Sequence, residues 1–282
     1  MVRMLAVVYI RTLMKIRTIL QAVLFCLLSA MTLAFCSYLV KPLPSSWSSH
    51  LMLGCSIAIT FIITLLFTRW SGLSLREIGA APGRDTLKKF FVAFTIGLLL
   101  PVIQWGVVCA GGGYQVQWND QVGLTGIFPF FLLYFLVAAR EELTFRAFPL
   151  FSLNQRCGFL LAISLVTFIF ILEHVAGGMF FWSAAIGPGL GGTLFAILAI
   201  KTKGIAYPMG VHAAWNFGQW AMGLKPEPGI ILGTVAPGQE DWVNATGWTG
   251  YGIAMGIGVA AAILYNPKRQ ADSSALQGNE HA

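Results

Sequence analysis

Apolar runs long enough to cross a lipid bilayer fill almost the whole chain, and no other feature restricts its fold as strongly. A helix that spans the hydrocarbon layer needs about 20 predominantly apolar residues. Eight such runs are expected: Ile19 to Val40, Leu51 to Thr68, Phe90 to Cys109, Ile127 to Leu150, Phe159 to Ala176, Phe180 to Ile200, Ile205 to Met222 and Trp248 to Tyr265. The expected fold class is therefore all-α, a polytopic membrane helix bundle. Only 10% of the residues are charged against 57% hydrophobic, which leaves no stretch able to build a separate soluble core. One membrane domain is expected over 1–265 and a polar, disordered tail over 266–282. The first run exceeds the 7–15 apolar residues of a signal peptide and reads as a retained anchor.

The formal charge of +7 would suit nucleic acid, but the basic residues flank apolar runs as membrane topology requires, so no nucleic-acid partner is expected. Lysine and arginine accumulate in cytoplasmic connections. With the N-terminus inside, 14 of them fall on inner segments and only Lys41 and Lys225 on outer loops. Both termini are thus expected to face the cytoplasm. Residues 1–17 interleave apolar residues with Arg3, Arg11, Lys15 and Arg17, which suits either a surface helix or a plain positive flank. The connection from Leu224 to Gly247 reads as a long, acidic, exposed outer loop. The five cysteines form no C-x-x-C pair and read as small buried hydrophobes.

A charge at mid-bilayer depth costs roughly +2.5 to +3.5 kcal/mol on insertion scales, so each one needs a reason. Arg140, Glu141, Glu142 and Arg146 nevertheless sit together in the fourth run, within AREELTFRAF. Glu173 and His174 lie in the fifth run and His212 in the seventh. Groups of this kind normally face a bundle interior and pair there, which predicts one shared site. Residues four apart share a helix face, so Glu142 and Arg146 form an i, i+4 pair. Glu141 points about 100 degrees away and is left without that partner. The same spacing joins Phe170 to His174 and His212 to Asn216. Each residue also has a purely structural reading: Glu142 and Arg146 as an ion pair between helices, a histidine satisfied in the core, Glu173 as a helix-end acid, Asn216 as an interhelical bond. For Arg140 the sequence offers only a second partner for the acids.

The chemistry open to such a set is hydrolysis. A carboxylate in low dielectric can take a proton from water, and an imidazole can hold or share it. An imidazole with an amide can donate to a developing oxyanion, as His212 and Asn216 would. Alternatively, Glu141, His174 and His212 are the two-histidine, one-carboxylate ligand set of a catalytic zinc site with an open fourth position. Sequence leaves both open, with zinc the one cofactor implied.

The motifs E-E-x-x-x-R (Glu141, Glu142, Arg146), F-x-x-x-H (Phe170, His174) and H-x-x-x-N (His212, Asn216) resemble, in order, the three motifs of the CAAX protease and bacteriocin-processing family, also called CPBP or Abi. The stretch GIAYPMGVHAAWNF over 204–217 is similar to the third motif in its flanks as well. The resemblance covers about residues 88–223. It implies an eight-helix intramembrane endopeptidase related to type II CAAX prenyl proteases, which remove the last three residues after a prenylated cysteine. In that family the residue matching Glu141, aided by that matching His174, is thought to activate water. Those matching His212 and Asn216 are thought to form the oxyanion site, and many members are classed as metalloproteases. Ala147 departs from the glycine common after the arginine. The substrate implied is a peptide or membrane protein, in a bacterial inner membrane.

Two other classes fit less of the sequence. A proton-coupled transporter would use the Glu and His residues as a relay and the run IGPGLGG (186–192) as a broken helix. No internal repeat supports it. A non-enzymatic immunity or scaffold protein would keep the motifs for stability alone. Depth tests the shared site: on these run boundaries Glu141 lies about 4 Å to one side of its run's midpoint and His174 about 10 Å to the other side of its own. Convergence would require the fifth helix to tilt strongly or to extend past Ala176.

Overall fold

The computed structural model describes residues 2–43 and 45–265, so the tail expected over 266–282 lies outside the described residues. The chain is an all-α polytopic membrane bundle. Its helices are α1 (Val2–Val40), α2 (Ser45–Trp70), α3 (Thr86–Gly97), α4 (Leu99–Gly111), α5 (Leu124–Glu141), α6 (Phe148–Cys157), α7 (Phe159–Ala176), α8 (Phe181–Thr202), α9 (Ala206–Ala221) and α10 (Glu240–Leu264). Seven spans among the described residues are long and apolar enough to cross a membrane: α1, α2, α3 with α4, α5 through α6, α7, α8 and α10.

The eighth expected run is α9, with 16 residues. It still joins the two faces of the bundle. At its start Ile205 N–H donates to Gly79 O, just before α3 (3.1 Å). Past its end the strand β2 (Ile231–Val235) pairs with β1 (Tyr114–Trp118), which follows α4. Thus α9 connects the same two levels as α3 and α4. The same face as Gly79 holds Lys201, whose ammonium donates to Tyr265 O (2.9 Å), and Arg17, whose guanidinium donates to Trp70 O (3.4 Å).

Two features were not expected from the sequence. The connection after α9 is not a plain exposed loop, because Ile231–Val235 forms an antiparallel ribbon with Tyr114–Trp118, Trp118 opposite Ile231 and Tyr114 opposite Val235. Asn119 Nδ2 donates to Gly229 O (2.9 Å) and the Tyr114 hydroxyl to Gly223 O (2.6 Å), which ties the ribbon to the end of α9. Secondly, the fourth run continues past Leu150 to Cys157 and is interrupted by a π-helical turn over Glu142–Arg146, whereas α8 runs unbroken through Pro188. Single π turns inside α-helices recur at functional sites. Cys26 and Cys36 are buried as expected, but Cys55 is exposed on the bundle exterior.

α3 packs on α9, α4 on α10, α1 on α2 and α7 on α8. Without a hydrophobic drive between helices in lipid, close approach of backbones supplies the packing energy, and small residues permit it. A Cβ on Gly97 would stand 2.9 Å from Val211 Cα, and one on Gly210 would stand 2.9 Å from Ala93 Cβ and meet the Phe90 carbonyl. These contacts seat α9, with His212 and Asn216, against α3. Gly210→Val is expected to destabilise the bundle by about 1–3 kcal/mol or more through overpacking, seen as a lower thermal unfolding midpoint in neutral detergent than for Gly106→Val, whose added atoms meet open space.

Candidate active site

The depth problem disappears once the run boundaries are corrected. Counted from the α6–α7 turn at Gly158, Glu141 is sixteen residues before Cys157 and His174 fifteen after Phe159, or about 24 and 22 Å along their helices. The two residues are therefore level. α7 does not extend; it ends at Ala176, where Met179 N–H donates to His174 O (3.0 Å). The sequence reading misplaced them by ending the fourth run seven residues early.

The end of α5 is tied to the end of α7 by a bidentate ion pair. Arg140 Nη1 donates to Glu173 Oε2 (3.0 Å) and Nη2 to Glu173 Oε1. Arg140 thus has its partner, and Glu173 is a counter-ion rather than a free helix-end acid. One residue pair further on, Glu142 and Arg146 are both wholly buried, with Nη1 and Oε1 3.6 Å apart. Arg146 also donates to Gly192 O (3.3 Å) and lies 4.4 Å over the Phe170 ring, a cation–π contact that replaces lost hydration. Gly192 makes room for it, since a Cβ there would stand 2.9 Å from Phe170 and 3.1 Å from Arg146 Nη2.

His212 lies between the two adjacent glutamates. Its Nδ1–H donates to Glu142 Oε1 (2.9 Å), and Nε2 is 3.6 Å from Glu141 Oε2. Phe195 stacks on its ring at 4.4 Å. A carboxylate is acceptor-only, so the Glu142 bond fixes a proton on Nδ1 and leaves Nε2 facing Glu141. His174 is fixed in a similar way, its Nδ1–H donating to Phe170 O (2.9 Å), with Nε2 unengaged among the described residues. Glu141, whose side chain is 13% exposed, has only His212 in ion-pair contact among the described residues. Glu141, His174, His212 and Asn216 line one cavity of about 740 Å³. Its apolar wall includes Phe170, Trp215, Trp248 and Tyr251, and Gly187 and Gly191 keep it open.

One cavity residue was not anticipated. Lys225, counted by sequence as an outer-loop charge, turns inward: its Nζ donates to Asn216 Oδ1 (3.3 Å) and lies 5.2 Å over the Tyr134 ring. Since lysine only donates, the Asn216 atom it meets is the carbonyl oxygen, and the amide N–H groups remain for another acceptor. Burial pushes the Lys225 ammonium below the usual lysine range, while Glu227 and Glu141 pull it back up. Gln219 and Gln104, also in the wall, bond to each other at 2.9 Å. No sequence signal marked Lys225, because three residues of loop separate it from α9.

A zinc ion held by Glu141, His174 and His212 would need three donors around one point. Among the described residues no group of three or more His, Cys, Asp and Glu side chains is arranged to hold a metal ion. That ligand set does not fit as placed, and no step below passes through a metal.

Residues 123–218 match the family model described as type II CAAX prenyl endopeptidase Rce1-like. The match covers about a third of the chain. The match supports a CAAX-type intramembrane protease at the level of the family. The matched segment begins at the turn before α5 and ends in α9, so it contains Glu141, Glu142, Arg146, His174, His212 and Asn216, while Lys225 and β2 lie beyond it. No curated protein and no solved structure matches the chain.

Breaking a buried ion pair leaves an uncompensated charge and costs about 3–5 kcal/mol, whereas replacing both partners by apolar residues is often neutral. Arg140→Met is therefore expected to lower the unfolding midpoint in detergent sharply, and Arg140→Met combined with Glu173→Met to recover most of the loss. An equal loss in single and double variants would contradict the pairing.

Proposed function

We propose that the protein is an intramembrane endopeptidase that hydrolyses a peptide bond near the C-terminus of a CAAX-like or other membrane-associated chain. The observation that carries this reading is that Glu141 is the acid of the buried cluster without an arginine in ion-pair contact, and it faces His212 Nε2 across the cavity that His174 and Asn216 line.

Glu141 takes a proton from water, and the hydroxide so formed adds to the scissile carbonyl carbon. His174 Nε2 shares the proton of that water. The carbonyl oxygen becomes an oxyanion, which receives hydrogen bonds from the free Asn216 amide and from His212 Nε2 when the ring carries both protons. Collapse of the tetrahedral intermediate breaks the C–N bond, and the leaving amine takes the proton held by Glu141. One water is consumed, and one carboxylate and one amine are released. Glu142 acts through His212: it holds the imidazole in a fixed orientation, and Arg146 neutralises it. The cavity's aromatic wall suits an apolar substrate side chain or lipid group. The expected orientation, both termini on the cytoplasmic side of a bacterial inner membrane with Lys41 and Lys225 on the other, is part of this proposal, as is a single membrane domain over 1–265.

Removal of a general base costs about 10²–10⁴ in rate, and loss of one oxyanion donor about 10²–10³ in kcat. Glu141→Gln, His174→Ala and His212→Ala are expected to abolish detectable cleavage, and Asn216→Ala to reduce it within the second range, while all four insert into the membrane. The check is the set of protein C-termini in membranes of cells carrying each variant, read by mass spectrometry. Identical termini in wild type and Glu141→Gln would remove the endopeptidase reading.

A further inference from the structure

The basic stretch over 1–17 has no part in the chemistry above. It does not form a separate surface helix, because α1 is continuous from Val2 to Val40, so its charges lead directly into a span. Where Arg17 meets Trp70, α1 and the end of α2 enclose a groove of about 300 Å³ that shares no residue with the catalytic cavity. Leu13, Ile16, Leu20 and Leu24 form its apolar floor, and all four are exposed on the bundle exterior. Spaced three and four apart, they follow one face of α1. Arg17 and Gln21, four apart on that face, interrupt the stripe with two polar groups.

Both polar groups lack a partner. The Arg17 guanidinium uses one N–H on Trp70 O (3.4 Å) and stands 6.0 Å from the centre of that ring, which leaves its other donors unengaged among the described residues. Gln21 is only 3% exposed; its Oε1 accepts from Ser71 Oγ (3.3 Å), and its Nε2 has no acceptor among the described residues. A buried donor left without an acceptor is costly. The surroundings are cationic. Arg69 precedes Trp70, and Arg156 donates to Ser71 O (3.0 Å), beside Gln21. Among the described residues none of Arg17, Arg69 and Arg156 has a carboxylate in ion-pair contact. Glu77, the first acid after Trp70, is bonded to Ser74 Oγ instead (2.7 Å).

We propose that this groove binds one anionic glycerophospholipid, with its phosphate on Arg17 and the Gln21 amide and an acyl chain along Leu20 and Leu24. A guanidinium matches a phosphate with two parallel hydrogen bonds. The unpaired cations around it favour a headgroup that carries net negative charge over one that carries its own cation. The apolar stripe supplies the contact that inorganic phosphate cannot use. Bound there, the lipid touches both α1 and the last residue of α2 and clamps the two helices together at the level of Trp70. The site stands apart from the catalytic cavity, so it does not rest on the endopeptidase reading.

The test uses the full-length protein in neutral detergent. Native mass spectrometry reads the lipid retained as phosphatidylglycerol or phosphatidylcholine of identical acyl chains is added, and inorganic phosphate is tried as a competitor. Charge-assisted hydrogen bonds predict that one phosphatidylglycerol is retained about tenfold or more tightly than phosphatidylcholine, and that phosphate does not displace it. Arg17→Met should erase the preference by weakening phosphatidylglycerol, and Arg17→Lys should keep part of it. Arg69→Met removes the same charge outside the groove and should leave the preference intact. Gln21→Leu should weaken both lipids by about two- to tenfold, since both carry the phosphate. Equal retention of the two lipids, displacement by phosphate, or a preference that survives Arg17→Met overturns the proposal. Equal losses in Arg17→Met and Arg69→Met also overturn it, because diffuse surface charge would then account for the binding. If Arg17→Met does not fold, Arg17→Lys and Gln21→Leu decide: unchanged retention of phosphatidylglycerol in both overturns the site.

Discussion

Charge neutralisation in a medium that hydrates ions poorly governs how this bundle is put together. Arg140 holds Glu173 across two helix ends, and Arg146 holds Glu142 within one turn. Each pair converts two ions that the membrane would exclude into a dipole it tolerates. The arrangement leaves Glu141 over. Because both neighbouring arginines are engaged, that carboxylate faces the cavity with His212 as its one ion-pair contact among the described residues. One assignment of partners thus fixes the helix contacts and singles out the acid that the proposed hydrolysis uses.

The position of the cluster depends on a change of helical pitch. α5 delivers Arg140 and Glu141 in ordinary α geometry, and the π turn over Glu142–Arg146 then carries the next acid and its arginine into the core before α6 resumes at Phe148. Two adjacent glutamates can therefore address the two nitrogens of one imidazole from the same side of the bundle. Against this wall, α9 is pressed by glycine contacts at Gly97 and Gly210. Loose packing there would move His212 relative to acids that cannot follow, since their own partners hold them.

Much of this could be read from residue types and spacing. The apolar runs marked the spans, and the Glu, His and Asn residues marked three helices that had to share an interior, because lone polar groups in lipid are too costly. The i, i+4 relation paired Glu142 with Arg146 and isolated Glu141. What stayed hidden depended on non-local contact. Arg140 and Glu173 are 33 residues apart, and periodicity cannot connect them, although opposite charges in neighbouring runs were a clue. Hydropathy ended the fourth run at Leu150 because Asn154, Gln155 and Arg156 are polar, yet the helix continues to Cys157, and that misreading produced the false offset in depth. β1 and β2 are short, partly polar and far apart in sequence, so neither announces the other. Lys225 was counted by the sign of its charge on a loop, and only folding turns it inward.

The shortness of α9 has a further consequence. At sixteen residues it is about 24 Å long, against a hydrocarbon layer of about 30 Å. Its ends are fixed by Gly79 and by the ribbon, so the helix cannot lengthen to meet the lipid. No residue of α9 is exposed, because α3, α5, α8 and α4 surround it, so protein rather than lipid makes up the shortfall. The space past its last turn is lined by Gly223, Leu224, Lys225 and Gly233, part of the cavity that His212 and Asn216 also line. The length of α9 is therefore a dimension of the cavity itself: a further turn would run into the space between Asn216 and the ribbon.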